Sequence, residues 1–126
     1  MGFKDLILEL KNLNLPPDQF AIFGSGPLGI RGLKESNDLD IIVKEDLWNE
    51  LSKKYPVQNE KLITIGEIEF YKHWKPWYDN TDFLIDTADI IDGIRFVKLE
   101  QVLKWKKEYN REKDIADVKL IEEYLR

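Results

Sequence analysis

Apolar and polar residues alternate along this chain with two periods, one typical of strands and one typical of helices. Short segments of apolar and β-branched residues predict strands at residues 20–23, 39–43, 61–65, 67–71 and 94–97. Gly66 separates the third and fourth of these segments, which form either a hairpin or one bent strand. Apolar residues that share a helical face predict helices at residues 4–14, 45–55, 99–109 and 112–125. A shorter helix is predicted near residues 28–33, and residues 81–90 are also expected to be helical.

The order of these elements predicts the fold class. Helices are interspersed with strands and the C-terminus is helical, which favours an α/β (α+β) fold with a mixed β-sheet flanked by helices. The chain has 126 residues, near the commonest size of one domain, and no linker divides it. We therefore expect a single domain over residues 1–126.

Composition narrows the classes of function and site. The chain has no cysteine, which excludes disulfides and thiolate metal sites and leaves oxygen ligands or the single histidine, His73. The absence of cysteine also fits a cytoplasmic protein. No apolar run reaches the ~20 residues of a membrane span. The net charge of −5 argues against nucleic acid as the main partner, because proteins that bind nucleic-acid phosphates are usually basic.

Two aspartates at the start of the second predicted strand carry the main chemical signal. Asp38 and Asp40 are two positions apart, so on a strand both side chains project from the same face. Carboxylates placed this close repel each other. Mg²⁺ would neutralise them, and it also binds phosphate oxygens.

A glycine-serine turn after the first predicted strand complements the aspartates. Gly24 lets backbone N–H groups approach a ligand closely, and the Ser25 hydroxyl can add a hydrogen bond. A helix that begins after this turn would favour a phosphate group at its N-terminus. Arg31 and Lys34 follow the turn and are interpreted either as phosphate contacts or as surface charges.

Together the two motifs resemble the nucleotidyltransferase superfamily with the DNA polymerase beta-like palm. Its signature is an apolar residue, Gly, then Gly or Ser, a spacer, and Asp-x-Asp between apolar residues. Here the signature reads Phe23-Gly24-Ser25 and, after the spacer, Asp38-Leu39-Asp40. Other segments look similar to the antibiotic-modifying and abortive-infection branches of this superfamily: residues 27–28, 31–32, 36–37, 93–100 and 111–117.

The resemblance implies a two-metal transfer of a nucleoside monophosphate from a nucleoside triphosphate, with release of pyrophosphate. Asp38 and Asp40 would bind both metals, which would be Mg²⁺ or, as an alternative, Mn²⁺. Gly24 and Ser25 would hold the β- and γ-phosphates. The mixed sheet would then be the palm of this superfamily.

The superfamily also uses a third carboxylate on a later strand. The match in this chain is Glu69, with Glu67 as the reserve. Glu69 would bind the catalytic metal and help to deprotonate the acceptor hydroxyl. If neither glutamate faces the aspartates, catalysis becomes doubtful.

The acceptor is not specified by the sequence: a small molecule, a protein side chain and an RNA end all carry hydroxyls. Larger relatives have a further domain for the acceptor, so a homodimer or a helical partner protein could complete the site here. Small members of the superfamily also occur as halves of toxin–antitoxin pairs. A nucleotide-binding partner module without transfer activity is therefore the alternative function.

Other polar and aromatic residues each have two interpretations. Basic residues near the C-terminus form either a solvated helix face and loop or contacts to the triphosphate: Lys106, Arg111 and Lys113. Asp114 and Asp117 share a helix face and are expected to cap the helix or pair with basic neighbours. An aromatic loop either packs on the core or borders the acceptor pocket: Trp74, Trp77 and Tyr78. His73 is expected to be structural or exposed.

Overall fold

The computed structural model describes residues 2–126. Within them, six strands form one sheet: β1 (Phe20–Phe23), β2 (Leu39–Val43), β3 (Leu62–Ile65), β4 (Ile68–Tyr71), β5 (Asp89–Ile91) and β6 (Ile94–Phe96). Six helices accompany the sheet: α1 (Phe3–Asn12), α2 (Gly26–Ile30), α3 (Glu45–Lys54), α4 (Asp82–Asp86), α5 (Leu99–Tyr109) and α6 (Glu112–Leu125). None of the helices in this part of the chain is long and apolar enough to cross a membrane.

The sheet is open and mixed, with the strand order β3-β4-β2-β1-β6-β5. Strand β1 pairs antiparallel with β2 and parallel with β6, while β2 pairs parallel with β4. Two hairpins add the outer strands, β3 beside β4 and β5 beside β6. The predicted α/β (α+β) class, with a mixed sheet and flanking helices, is confirmed, and β3 and β4 form a hairpin rather than one bent strand.

One face of the sheet, which we call the apolar face, is covered by α1 and α3. Alternate residues of a strand point to the same face, and on this side the central strands present Ile22, Ile41 and Phe70, none of which is exposed. The two helices cover them with apolar side chains at helical spacing: Leu6, Leu10, Leu47, Trp48 and Leu51. The apolar face is therefore a closed hydrophobic core.

The opposite face, which we call the site face, is covered by α2, α4, α5 and α6. Phe23 and Ile42 of the central strands pack there against Trp105 of α5. Asp40 lies on this face because it is two positions before Ile42 on β2, and Glu69 lies opposite it on β4. The core of the site face is thus interrupted by charged residues.

The predicted helix over residues 81–90 is wrong in its second half. Helix α4 ends at Asp86, and the following segment forms β5, which pairs with β6. Asp92 and Gly93 turn the chain between these strands, with φ of 54° and 78°. Such positive φ values are typical of a two-residue hairpin turn. Two β-branched isoleucines in β5 favour a strand once β6 supplies backbone partners.

Two other helix boundaries differ slightly from the prediction. Helix α2 begins at Gly26 rather than near residue 28, with Pro27 in its first turn, where the missing N–H of proline costs no hydrogen bond. Helix α1 ends at Asn12, before Asn14 takes a left-handed conformation with a φ of 52°.

Candidate functional site

The strand register places two of the predicted carboxylates side by side. Strands β2 and β4 are parallel, and Asp40 lies opposite Glu69. Neighbouring strands are about 4.8 Å apart, so both side chains can reach one point above the sheet. Asp38 directly precedes β2 and is exposed, while Glu67 lies in the exposed turn between β3 and β4. Of the two glutamates, only Glu69 therefore neighbours Asp40.

The turn after β1 is pressed against Asp40. Gly24 has a φ of +62°, and a Cβ atom added to it would lie 2.6 Å from Oδ2 of Asp40. Only glycine permits this close approach without strain. The Ser25 hydroxyl is 2.8 Å from the Ser36 hydroxyl, and Ser36 donates a hydrogen bond to the carbonyl oxygen of Asp38 at 3.2 Å. The turn and the aspartate segment are thus joined by a chain of two hydroxyls.

A cavity of about 480 Å³ opens beside this turn. That volume is within the range of pockets that hold one small organic ligand. Gly24, Ser25, Asp38 and Asp40 all line it, but Glu69 does not. The remaining lining is mostly basic and aromatic: Lys34, Lys61, Tyr71, Lys75, Trp74, Trp77, Trp105, Lys106, Tyr109, Arg111 and Lys113.

Unbalanced negative charge surrounds Asp40. Burial raises the pKa of this carboxyl from 3.8 to about 6, and the negative charges of Glu69 and Asp38 add to the effect. Lys106 and Lys113 act in the opposite direction and lower the pKa in part. In residues 2–126, neither Asp38, Asp40 nor Glu69 takes part in an ion pair. Within the described residues these carboxylates therefore have no direct ion-pair partner, and Lys106 and Lys113 compensate the charge of Asp40 only in part and from beyond ion-pair distance.

Tyr71, two residues after Glu69 on the same strand, responds to the same charges. Burial is the main reason that its pKa rises from 10.0 to about 12, followed by the negative charges of Asp40 and Glu69. The phenol therefore stays protonated near neutral pH and can donate a hydrogen bond into the cavity that it lines.

The donor set fits a hard divalent cation, although it is incomplete as it stands. Asp38, Asp40 and Glu69 offer only carboxylate oxygens, which Mg²⁺ prefers. No group of three acidic or histidine side chains is arranged as a metal site within the described residues. Glu69 does not line the cavity, although its charge is near enough to Asp40 to raise the pKa of that carboxyl.

A network of ion pairs surrounds two buried aspartates of α6, Asp114 and Asp117, and its basic residues line the cavity. The Lys34 ammonium contacts both carboxylate oxygens of Asp117, at 3.0 and 3.1 Å, and Lys106 contacts Asp117 Oδ2 at 3.0 Å. Asp114 accepts hydrogen bonds from the Arg111 backbone N–H and guanidinium, and it lies 3.4 Å from the Lys106 ammonium. The prediction that both aspartates cap the helix or pair with basic neighbours is confirmed.

The structure changes the predicted roles of two basic residues, Lys106 and Arg31. Lys106 is only 4% exposed, so the expected solvated helix face is wrong for that residue. Arg31, a predicted phosphate contact, is not brought to the cavity: its guanidinium donates to the Pro27 carbonyl at 2.8 Å and to Asp89 at 2.9 Å. Lys34, the other predicted phosphate contact, does line the cavity.

The aromatic segment after β4 both packs and lines the cavity. Trp74 stacks on Phe23 with ring centroids 4.8 Å apart, and the ring centroids of Trp77 and Tyr109 are 4.6 Å apart. Tyr78 is buried and donates a hydrogen bond from its hydroxyl to the Gln101 carbonyl at 3.0 Å. His73 is half-buried and accepts a hydrogen bond from the Lys75 backbone N–H at 3.2 Å.

Comparisons of the chain with the models of known protein families, with curated proteins and with solved structures found no match. The assignment of a function therefore rests on the sequence motifs and on the geometry of the site.

Proposed function

We propose that this protein is a Mg²⁺-dependent nucleotidyltransferase that moves a nucleoside monophosphate from a nucleoside triphosphate to a hydroxyl acceptor. The observation that carries the proposal is the position of Asp40, which lies opposite Glu69 and is touched by the Gly24 turn. Acidic residues beside a glycine turn, at a cavity of ligand size, suit a metal–phosphate ligand. The palm of the nucleotidyltransferase superfamily is the fold that we propose for the sheet.

The negative side of the cavity would bind the metal. Asp38 and Asp40 would hold two Mg²⁺ ions, and Glu69, whose charge already acts on Asp40, would contribute to the catalytic ion. Bound Mg²⁺ would supply positive charge that stabilises the phosphate oxygens and makes the acceptor hydroxyl more acidic. The raised pKa of Asp40 supports this assignment because a divalent cation would stabilise a carboxylate whose charged form is disfavoured, mainly by burial and further by the charges of Glu69 and Asp38.

The protein's own residues would bind and orient the reactants. The backbone at Gly24 and Ser25 would approach the phosphates, and the ammonium of Lys34 lies on the same cavity. The acceptor oxygen would form a bond to the α-phosphorus while the bond from that phosphorus to the bridging oxygen breaks. Pyrophosphate would leave, and the proton of the acceptor hydroxyl would pass to the carboxylate of Glu69.

The position of Glu69 also favours a second candidate function. Since Glu69 does not line the cavity, the carboxylates of the proposed metal site that face the ligand space are Asp38 and Asp40. The other lining carboxylate, Asp117, is paired with Lys34 and Lys106. A protein with this arrangement could bind nucleotide, and act as a partner module of the toxin–antitoxin type, without transferring anything. The two candidates differ in the role of a single glutamate.

A transfer assay separates the two candidates. Nucleoside triphosphates labelled at the α-phosphate are incubated with the protein, Mg²⁺ and three fractions of a cell extract: small molecules, proteins and RNA. We expect label in one fraction and release of unlabelled pyrophosphate. Glu69→Gln should abolish transfer but retain triphosphate binding, whereas the matched control Glu67→Gln should retain both transfer and binding. Binding without transfer in all fractions would favour the partner module.

A further inference from the structure

Two buried aspartates of α6 pair with cations from three parts of the chain, of which Lys106 is buried and Lys34 and Arg111 are partly exposed. Asp114 is 1% exposed and Asp117 is 4% exposed, and Lys106 of α5 is buried between them. Buried ion networks contribute little net stability, because removing each charge from water costs several kcal/mol. What such a network does provide is a fixed position for each charged group.

The carboxylate of Asp117 holds two ammonium groups at one point. Lys34, from the segment between α2 and β2, and Lys106, from α5, both contact its Oδ2 atom, at 3.1 and 3.0 Å. Two ammonium groups that share an oxygen would repel each other in the absence of the carboxylate. Asp117 therefore determines where both lysines lie.

The network carries more positive than negative charge. Three cations, Lys34, Lys106 and Arg111, share the two carboxylates of Asp114 and Asp117. All three cations line the cavity that also contains Asp40. The positive charge of Lys106 is close enough to Asp40 to lower its pKa. The surplus charge therefore faces the ligand space and not only the protein interior.

We propose that Asp117 is a positioning residue that presents Lys34 and Lys106 as a pair to the terminal phosphate of a polyphosphate chain, and that this clamp works without a metal ion. The identification of the polyphosphate as part of a nucleotide rests on the proposed function. The clamp itself rests only on the shared oxygen of Asp117 and on the two lysines at the cavity. Asp114 holds the guanidinium of Arg111 in the same network.

The test uses inorganic tripolyphosphate as the probe, titrated calorimetrically into the full chain in EDTA. We expect the wild type to bind it and Lys34→Met to bind about tenfold more weakly, since a charge-assisted hydrogen bond is lost. Lys107→Met is the matched control, because Lys107 lies on the same helix and pairs with Glu122 at 3.0 Å but does not line the cavity. The control should bind like the wild type.

The decisive variant is Asp117→Asn, because two accounts of Asp117 predict changes of opposite sign. If Asp117 were only a negative charge near an anion site, its removal would raise the affinity for tripolyphosphate. If it positions the lysines, its removal lowers the affinity, again about tenfold. In a Lys34→Met background the loss caused by Asp117→Asn should shrink, because both changes act through the same lysine.

Several outcomes would overturn this inference. Unchanged affinity of Lys34→Met for tripolyphosphate would overturn it, and this test remains if Asp117→Asn is too unstable to study. Higher affinity in a folded Asp117→Asn variant would also overturn it. Because the probe has no nucleoside and the buffer no metal, this result is separate from the nucleotide assignment. A clamp that binds tripolyphosphate in a protein that fails to bind Mg²⁺–nucleotide would refute only the proposed function.

Discussion

The two faces of the sheet are made from alternate residues of the same strands, and they differ in how they use buried volume. On the apolar face, Ile41 and Phe70 belong to a buried hydrophobic cluster that includes side chains of α1 and α3. One position away on each strand, Asp40 and Glu69 lie opposite each other on the site face, where Asp40 lines the cavity. The apolar face therefore mainly stabilises the fold, and the site face carries the proposed chemistry. Substitutions on the apolar face should mainly change stability, and substitutions at the cavity should mainly change ligand binding.

The largest effect is expected on the apolar face. Phe70→Ala removes a fully buried ring and should lower the free energy of unfolding by about 4 kcal/mol, through lost burial and a cavity. Trp77→Leu, at the rim of the site-face cavity, should cost about 1 kcal/mol or less. Urea denaturation of both variants measures the contrast. Similar losses for the two would contradict the division between faces.

Asp40→Asn should have the opposite sign and stabilise the fold. The folded-state pKa of about 6 lies above the ordinary 3.8, so the charged carboxylate destabilises the folded protein above about pH 6. The gain at pH 7.5 in EDTA is at most about 3 kcal/mol. Thermal unfolding as a function of pH should show that the stabilisation of Asp40→Asn over the wild type grows from about pH 4 to 7 and vanishes below pH 4.

Asp38→Asn is the matched control for this stabilisation. Asp38 is exposed, so its replacement should change the free energy of unfolding by less than about 0.5 kcal/mol. Equal stabilisation by the two substitutions, or a loss of stability in Asp40→Asn at pH 7.5, would show that the buried charge of Asp40 does not destabilise the fold.

Gly24→Ala tests the contact between the turn and Asp40. The positive φ alone should cost about 1 kcal/mol, and crowding against Asp40 Oδ2 should raise the total to about 2 kcal/mol. Gly66→Ala is the control, because Gly66 has the same φ of +62° and its added Cβ would meet nothing closer than 3.8 Å. Equal destabilisation in urea would mean that the contact with Asp40 contributes nothing.

Arg31→Met should have the smallest effect on the site. It removes an ion pair with Asp89 that is half-buried, and we expect a loss of about 1 kcal/mol in the free energy of unfolding. Nucleotide affinity should not change, because Arg31 does not line the cavity. Weaker nucleotide binding in a folded variant would support the prediction from the sequence that Arg31 contacts the phosphates.

Local patterns predict most of the elements. The apolar runs of β1 and β2 and the helical periodicity of α5 and α6 have the bounds that the sequence indicates. Helix α4 and strand β5 are the exception, because the strand character of residues 89–91 depends on pairing with β6. A single-sequence pattern carries no information on that partner.

The candidate site depends more strongly on long-range contacts. Asp38 and Asp40 are visible as a motif, but their relation to Glu69 exists only because β4 pairs with β2. Lys34 and Asp117 are 83 positions apart, and Arg31 and Asp89 are 58 apart, so no periodicity connects them. The buried ion network and the basic, aromatic cavity wall therefore could not be predicted from spacing.

The central claim is that Asp40 holds a metal that in turn binds a nucleoside triphosphate. The most direct measurement is calorimetric titration of ATP, GTP, CTP and UTP with Mg²⁺ and with EDTA into the wild type, Asp40→Asn and the exposed control Asp46→Asn. We predict that at least one triphosphate binds with Mg²⁺, and that EDTA or Asp40→Asn weakens it at least about tenfold, while Asp46→Asn does not. Undiminished Mg²⁺–nucleotide affinity in Asp40→Asn, or no binding to the wild type, would contradict the claim.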